Sequence, residues 1–262
     1  MTPDVIASDY LGVRDRVAVV TGGGRNIGRA AALALAKAGA KLVIGDLVEA
    51  NAQSVAKEIE AAGGEAIGLP LDIASKPSVD AMIAAGAERF GGIDILVNNA
   101  SKFSELTYKP FEEIPLEEWD AVIHTNITGT FYCVRAALPH MKKKKWGRIV
   151  NISSGTYRMG RPWFLHYVST KASLMGMSRS LARELGPHGI NVNTVLPGVV
   201  LHGIQSNRLP EDYKKMILGM QCIPEPLDCE ALADPILFLC SDASRFVTGQ
   251  ELAVDGGLTH GG

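Results

Sequence analysis

The chain has 262 residues, 47% of them hydrophobic, and a formal net charge of −2. That is enough apolar sequence for a sizeable core, and no global positive field argues for nucleic acid. Cys133, Cys222, Cys229 and Cys240 match no zinc spacing, and the histidines form no His-Glu-x-x-His pattern, so no catalytic metal is expected. Sparse cysteine suits a reducing compartment. The N-terminal residues lack a basic segment leading into an apolar run, and no stretch of about 18 apolar residues occurs. The expectation is a cytoplasmic protein without a membrane span.

Apolar runs of strand length alternate with helical patterns along most of the chain. Val17–Thr21 reads as a buried strand ending at glycines. Ile27–Ala38 is alanine-rich and helical, and Gly39 stops it. Lys41–Asp46 is a second strand. A helix from about Glu49 to Ala62 ends at Gly63-Gly64, and Ala66–Leu71 is the third strand. Ser75 and Pro77 open a helix that reaches about Phe90. Ile93–Asn98 is the fourth strand, and helices follow near Pro115–Met141. The basic run Lys142–Lys145 reads as a solvated last helical turn, where cations suit the helix dipole. Gly147–Ser153 is the fifth strand, and the helix bearing Tyr167 ends near Gly186-Pro187. Ile190–Leu196 and Glu251–Val254 are later strands. The irregular stretch 201–229, with Pro210, Pro224 and Pro226, is expected to form a substrate lid. Repeated strand–helix–strand order predicts an α/β fold. It is read as a single doubly wound parallel sheet with helices on both faces, one domain over 1–262.

The most informative chemistry lies between Ser154 and Lys171. Thirteen positions separate Ser154 from Tyr167, and four more lead to Lys171. The Tyr-x-x-x-Lys spacing puts a phenol and an ammonium on one face of a helix. A free phenol has a pKa near ~10, too high for a base at neutral pH, and a nearby ammonium favours the phenolate. A serine hydroxyl alongside would hold a substrate oxygen against the tyrosine. By itself the spacing is common on helices.

A second site sits at the strand ends. Thr21-Gly-Gly-Gly-Arg-Asn-Ile-Gly28 joins the first strand to the first helix. Glycines there let backbone N–H groups approach a pyrophosphate, whose charge the helix N-terminus favours. Asp46 ends the second strand, where a carboxylate accepts hydrogen bonds from an adenosine ribose; its alternative reading is a cap before Val48. Asp72-Ile73 and Asn98-Asn99-Ala100 follow the third and fourth strands, at the edge where open α/β sheets bind ligands.

With these elements in order, together with Asn126, Pro197-Gly198 and Val254-Asp-Gly-Gly257, the chain resembles the short-chain dehydrogenases/reductases over roughly 15–257. The resemblance implies a Rossmann-type, nicotinamide-dependent catalytic domain. Tyr167 would be the general acid/base. Lys171 would bind the nicotinamide ribose and lower the tyrosine pKa, Ser154 would hold the substrate oxygen, and Asn126 would secure a water for proton relay. The implied cofactor contacts are Gly22, Arg25, Asn26, Ile27, Gly28, Asp46, Leu47, Asp72, Ile73, Asn98, Ala100, Pro197, Gly198 and Val200, with Tyr167 and Lys171. Ser153 lacks the family's spacing to the tyrosine. Tyr157 is followed four residues later by Arg161, not lysine.

Three positions depart from the family pattern. Asn26 stands where a second glycine is usual, and asparagine is the residue that best tolerates left-handed backbone after glycine. Ser101 follows Asn-Asn-Ala in place of glycine. His202 stands where the family often has a threonine that reaches the nicotinamide amide, leaving the backbone of Val200 for that contact.

Asp46 would repel a 2′-phosphate, whereas Arg25 would attract one, and the balance favours NAD over NADP. The expected substrate is a small alcohol or carbonyl compound. Tyr157, Met159, Trp163, Phe164, Leu165 and Phe103 offer an aromatic lining, while Arg158, Arg161 and His202 offer recognition of a carboxylate or sugar hydroxyls. Alternative readings are an NADPH-using 3-oxoacyl carrier-protein reductase, a sugar or hydroxy-acid dehydrogenase, and a non-catalytic NAD-binding scaffold. The resemblance also implies a homotetramer built on the helices near 118–141 and 164–185.

Overall fold

The computed structural model describes residues 11–201 and 209–260. Seven parallel strands form one sheet in the order β3-β2-β1-β4-β5-β6-β7. They are β1 (Val17–Thr21), β2 (Lys41–Asp46), β3 (Ala66–Pro70), β4 (Ile95–Asn98), β5 (Gly147–Ile152), β6 (Ile190–Pro197) and β7 (Glu251–Val254). The strand order reverses between β1 and β4, which opens a crevice at their C-terminal ends, the usual ligand position in such sheets.

Alternation along each strand loads both faces. In β1, Val17 and Val19 point to one side while Ala18 and Val20 point to the other. One face is covered by α1 (Asn26–Lys37) and α2 (Glu49–Ala61). The opposite face is covered by α3 (Lys76–Phe90). The same face is covered by α5 (Gly129–Lys144) and α6 (Leu165–Leu185), and α4 (Leu116–Ile123) packs on α6. Late in the chain come α7 (Glu211–Met220) and α8 (Glu230–Leu239), the latter packed on α1. Both layers are sealed by fully buried aliphatics such as Leu35 and Ile59 on one side and Met141 and Leu185 on the other.

The expected elements are present with shifts of a residue or two at their ends, and three differences matter. First, the helical region near 115–141 is interrupted by a π-helical turn, His124–Thr128, between α4 and α5. Second, the irregular stretch after β6 contains the ten-residue α7. Third, Lys142–Lys144 do form the last turn of α5, but Lys144 is not merely solvated: its ammonium lies 2.8 Å from the buried Asp94 carboxylate.

A buried polar ladder ties α6 to the sheet. Asn98 on β4 donates to Asn151 on β5 at 2.8 Å, Asn151 donates to Ser178 on α6 at 2.8 Å, and Ser178 meets Thr194 on β6 at 2.7 Å. Satisfied buried hydrogen bonds of this kind fix the helix in one register, because a slip would leave several polar groups unpaired.

Candidate active site

Tyr167 and Lys171 lie one turn apart near the start of α6, both buried, and Ser154 lies just beyond the end of β5. The Ser154 hydroxyl lies close enough to the Tyr167 phenol to draw its pKa down, and it accepts from the Thr156 amide at 3.2 Å and the Thr156 hydroxyl at 3.0 Å. Ser153, the neighbour, donates instead to the Lys171 carbonyl at 2.7 Å and supports the helix. Tyr157 is turned away: its hydroxyl donates to the Glu251 carboxylate, beside Arg158.

The electrostatics correct one expectation. Burial pushes the Tyr167 phenol well above its ordinary range, against a smaller downward pull from Ser154. Lys171 does not offset this. Its ammonium donates to the Ile152 carbonyl at 2.8 Å and stands 5.5 Å from the Tyr167 ring centre. Burial brings its own pKa down to about 8. The loss of hydration dominates and keeps the phenol protonated, as a proton donor requires.

Asn126 is carried by the π-helical turn, an arrangement that often marks functional positions. Its carboxamide oxygen accepts from the Lys102 amide at 2.7 Å, and its NH₂ donates to the Lys102 carbonyl at 3.3 Å and to Thr170 at 3.1 Å. Thr170 in turn donates to the Tyr167 carbonyl at 2.8 Å. Both amide hydrogens are therefore used, and one lone pair on the oxygen remains for a water. Asn126 thus pins the loop after β4 to the tyrosine helix.

The glycine-rich turn is built as the sequence suggests. Gly22 has φ +61° and Asn26 φ +48°, so asparagine does adopt the left-handed backbone. A Cβ on Gly28 would overlap the Gly22 carbonyl, and one on Gly24 would stand 2.7 Å from the Asp46 carboxylate. Arg25, the N-cap of α1, makes no side-chain capping bond, which leaves first-turn N–H groups for an anion. Asp46 is buried at the tip of β2, its oxygens accepting from the Gly24 and Val48 amides at 3.1 and 3.0 Å. Asp46 orders the turn before α2, whose N-cap is Val48, and borders the glycine turn. Arg25 and Leu47 are exposed and Ile27 is half-buried.

The remaining sites line the same edge. Asp72 holds the Ala74 amide at 2.9 Å, and buried Ile73 packs against Gly129. Asn98 keeps its carboxamide oxygen unpartnered although buried. Ala100 donates its amide to Thr21 at 3.1 Å. Pro197 accepts from Gly155 at 2.9 Å, and Gly198 donates to Val254 at 3.0 Å, which brings the end of β6 against the Ser154 loop. Val200 forms a parallel bridge with Leu227 whose bond comes from the Leu201 amide, so the Val200 amide takes no part in it. His202 lies outside the described residues.

Two residues of the quoted motifs have a role that sequence reading did not assign. Thr21 binds the amides of Asn99 and Ala100, and Asn99 donates to the Thr21 and Gly22 carbonyls at 3.1 and 2.9 Å, locking the glycine turn to β4. Sequence reading missed Tyr108 and Tyr213. Tyr108 packs on Phe164 at 4.7 Å, and Phe164 and Phe103 pack on Tyr167 at 5.0 and 4.9 Å. An open cleft at the opposite ends of the strands, lined by Arg16, Asp94, Lys144 and Asp242, is remote from this chemistry.

A family model described as Enoyl-(Acyl carrier protein) reductase matches residues 22–259. The chain is a short-chain dehydrogenase/reductase. Within that family it is 39% identical over 247 residues to the (2S)-[(R)-hydroxy(phenyl)methyl]succinyl-CoA dehydrogenase subunit BbsD of Thauera aromatica, covering 94% of this chain and 98% of the relative. It is 40% identical over 253 residues to the L-rhamnose 1-dehydrogenase (NAD(P)(+)) of Azotobacter vinelandii, covering 93% and 96%. A solved structure from Sinorhizobium meliloti 1021, assigned as a short-chain alcohol dehydrogenase, superposes with a TM-score of 0.90 at 32% identity, covering 95% of this chain and 98% of that one. This short-chain dehydrogenase/reductase is thus an NAD(P)-dependent oxidoreductase of small molecules, and no described helix is long and apolar enough to cross a membrane.

Proposed function

We propose that the enzyme interconverts a secondary alcohol and its ketone using NAD, with Tyr167 as general acid/base. The observation that carries this reading is the half-buried Ser154 hydroxyl beside the buried Tyr167 phenol, one helical turn from the buried Lys171. A carbonyl oxygen placed between the two hydroxyls would accept a hydrogen bond from Ser154 and a proton from Tyr167. When bound, the nicotinamide supplies or takes up the hydride. Lys171 and the cradle from Gly22 to Gly28 would hold it, with Asp46, Leu47, Asp72, Ile73, Asn98, Ala100, Pro197, Gly198 and Val200 along the same edge. Thr170 and Asn126 keep the tyrosine in place.

Support for NAD comes from Asp46. Its carboxylate is fixed by two backbone amides, so it cannot swing away from a 2′-phosphate, whereas Arg25 is exposed and free to turn. The aromatic cluster around Tyr167 favours a substrate with an apolar or aryl group, as in the phenyl-bearing substrate named for the Thauera relative. The 35%-identical 3-oxoacyl-[acyl-carrier-protein] reductase of Staphylococcus epidermidis keeps the carrier-protein reading as the alternative. One catalytic domain with a lid over about 201–229, of which 202–208 lie outside the described residues, a cytoplasmic location and a homotetramer complete the reading.

Tyr167→Phe tests it. Turnover of a secondary alcohol should fall by about 10²-fold or more, the usual worth of a positioned proton donor. NAD binding by calorimetry should stay near wild type. A variant that retained more than a few per cent of the rate would remove Tyr167 from the role.

A further inference from the structure

Two arginines lie between Ser154 and Tyr167, and their surroundings differ. Arg158 is committed: its guanidinium donates to Glu251 at 3.0 Å and to the Tyr157 hydroxyl at 3.2 Å. Arg161 has no such partner. Its guanidinium carbon stands 5.0 Å from the Tyr108 ring centre and 4.6 Å from that of Tyr213, and among the described residues no carboxylate pairs with it. It therefore bridges the loop after β4 and helix α7, held by two aromatic faces with its five N–H donors unspent.

That bridge overlooks the reactive tyrosine. Tyr108 packs on Phe164, which packs on Tyr167. The Tyr108 phenol is also close enough to influence the titration of both Tyr167 and Tyr213. A chain of ring contacts thus runs from the Arg161 guanidinium through Tyr108 and Phe164 to the proton donor Tyr167.

We propose that Arg161 is a specificity-determining anchor for a carboxylate on the substrate. The preferred substrate is then a secondary alcohol or ketone carrying both an apolar or aryl group and a carboxylate. This deepens the function proposed above and rests on it for the identity of the reacting group. A guanidinium fork matches a carboxylate with two parallel hydrogen bonds, and stacking on tyrosine keeps the fork in plane. A singly charged anion suits the site better than a phosphate dianion. The neighbouring cations Lys102, Lys109 and Lys214 are already paired with Glu105, Glu118 and Glu211.

Calorimetry with unreactive probes separates the anchor from the chemistry. Phenylacetate and phenylbutyrate, each beside its primary amide, are titrated into the NAD complex of the wild type, Arg161→Met and Arg158→Met. Methionine keeps an apolar stem between the two tyrosines. In the wild type at least one acid should bind on the order of tenfold tighter than its amide, as expected for a charge-assisted hydrogen bond. Arg161→Met should reduce that preference to within about twofold, and Arg158→Met should keep it. Acid and amide binding alike in the wild type, or an acid preference that survives Arg161→Met, would overturn the anchor even if secondary alcohols turn over. An Arg161-dependent acid preference in a protein that oxidises no alcohol would uphold the anchor and overturn the reductase reading.

Discussion

Lys171 sets a pH dependence that the sequence alone would misplace. Its folded pKa is about 8, below the ordinary lysine value, because burial disfavours the charged form. It is therefore protonated at pH 7 and loses its charge as pH rises through 8. Tyr167 stays protonated over that range, since burial raises its pKa. For carbonyl reduction, kcat/KM should show a descending limb with an apparent pKa near 8, and Lys171→Met should lack it. A flat wild-type profile from pH 7 to 9 would detach the lysine from the rate. Asp46→Ser removes a fixed negative charge beside the cradle and should raise the NADP-to-NAD ratio of kcat/KM on the order of tenfold or more. A wild type that already prefers NADP would remove the basis of that argument. At this scale the sequence was legible wherever residue type dictates backbone, as at Asn26. It was not legible where solvation decides, as with the lysine that bonds Ile152 instead of charging the phenol.

Element boundaries were readable because glycines, Ser75 and alternating apolar strands punctuate the chain. The π-helical turn was not, since one extra residue in a turn leaves no compositional trace. Its consequence is testable at Asn126. Asn126→Ala would strip partners from both the amide and the carbonyl of Lys102 and from Thr170. The loop carrying Phe103 and Tyr108 should loosen, so substrate KM should rise several-fold while NAD affinity changes little. An unchanged substrate KM would show that the loop holds itself. Helix α7 was likewise hidden within a proline-rich stretch, because its apolar face is narrow: Ile217 is its one fully buried residue.

For the whole molecule, the parallel sheet and the two covered faces followed from the strand–helix alternation, whereas the strand order and the outward faces did not. Phe131 on α5 is 48% exposed, and on α6 the exposed Gly176 has open space beside it. These faces fit the proposed homotetramer. Light scattering should return four times the 27.9 kDa chain mass, and Phe131→Glu should lower it to half or less. A wild-type monomer at micromolar concentration would refute the assembly. The polar ladder Asn98–Asn151–Ser178–Thr194 bears on how the molecule comes apart. Directional bonds do not slide as greasy contacts do, so α6 leaves the sheet in one step or not at all. In deuterated buffer the α6 amides should exchange last, at a rate set by global opening. The α7 amides should exchange early, through local fraying. On warming, such an enzyme loses its grip on substrate while its proton donor is still in place.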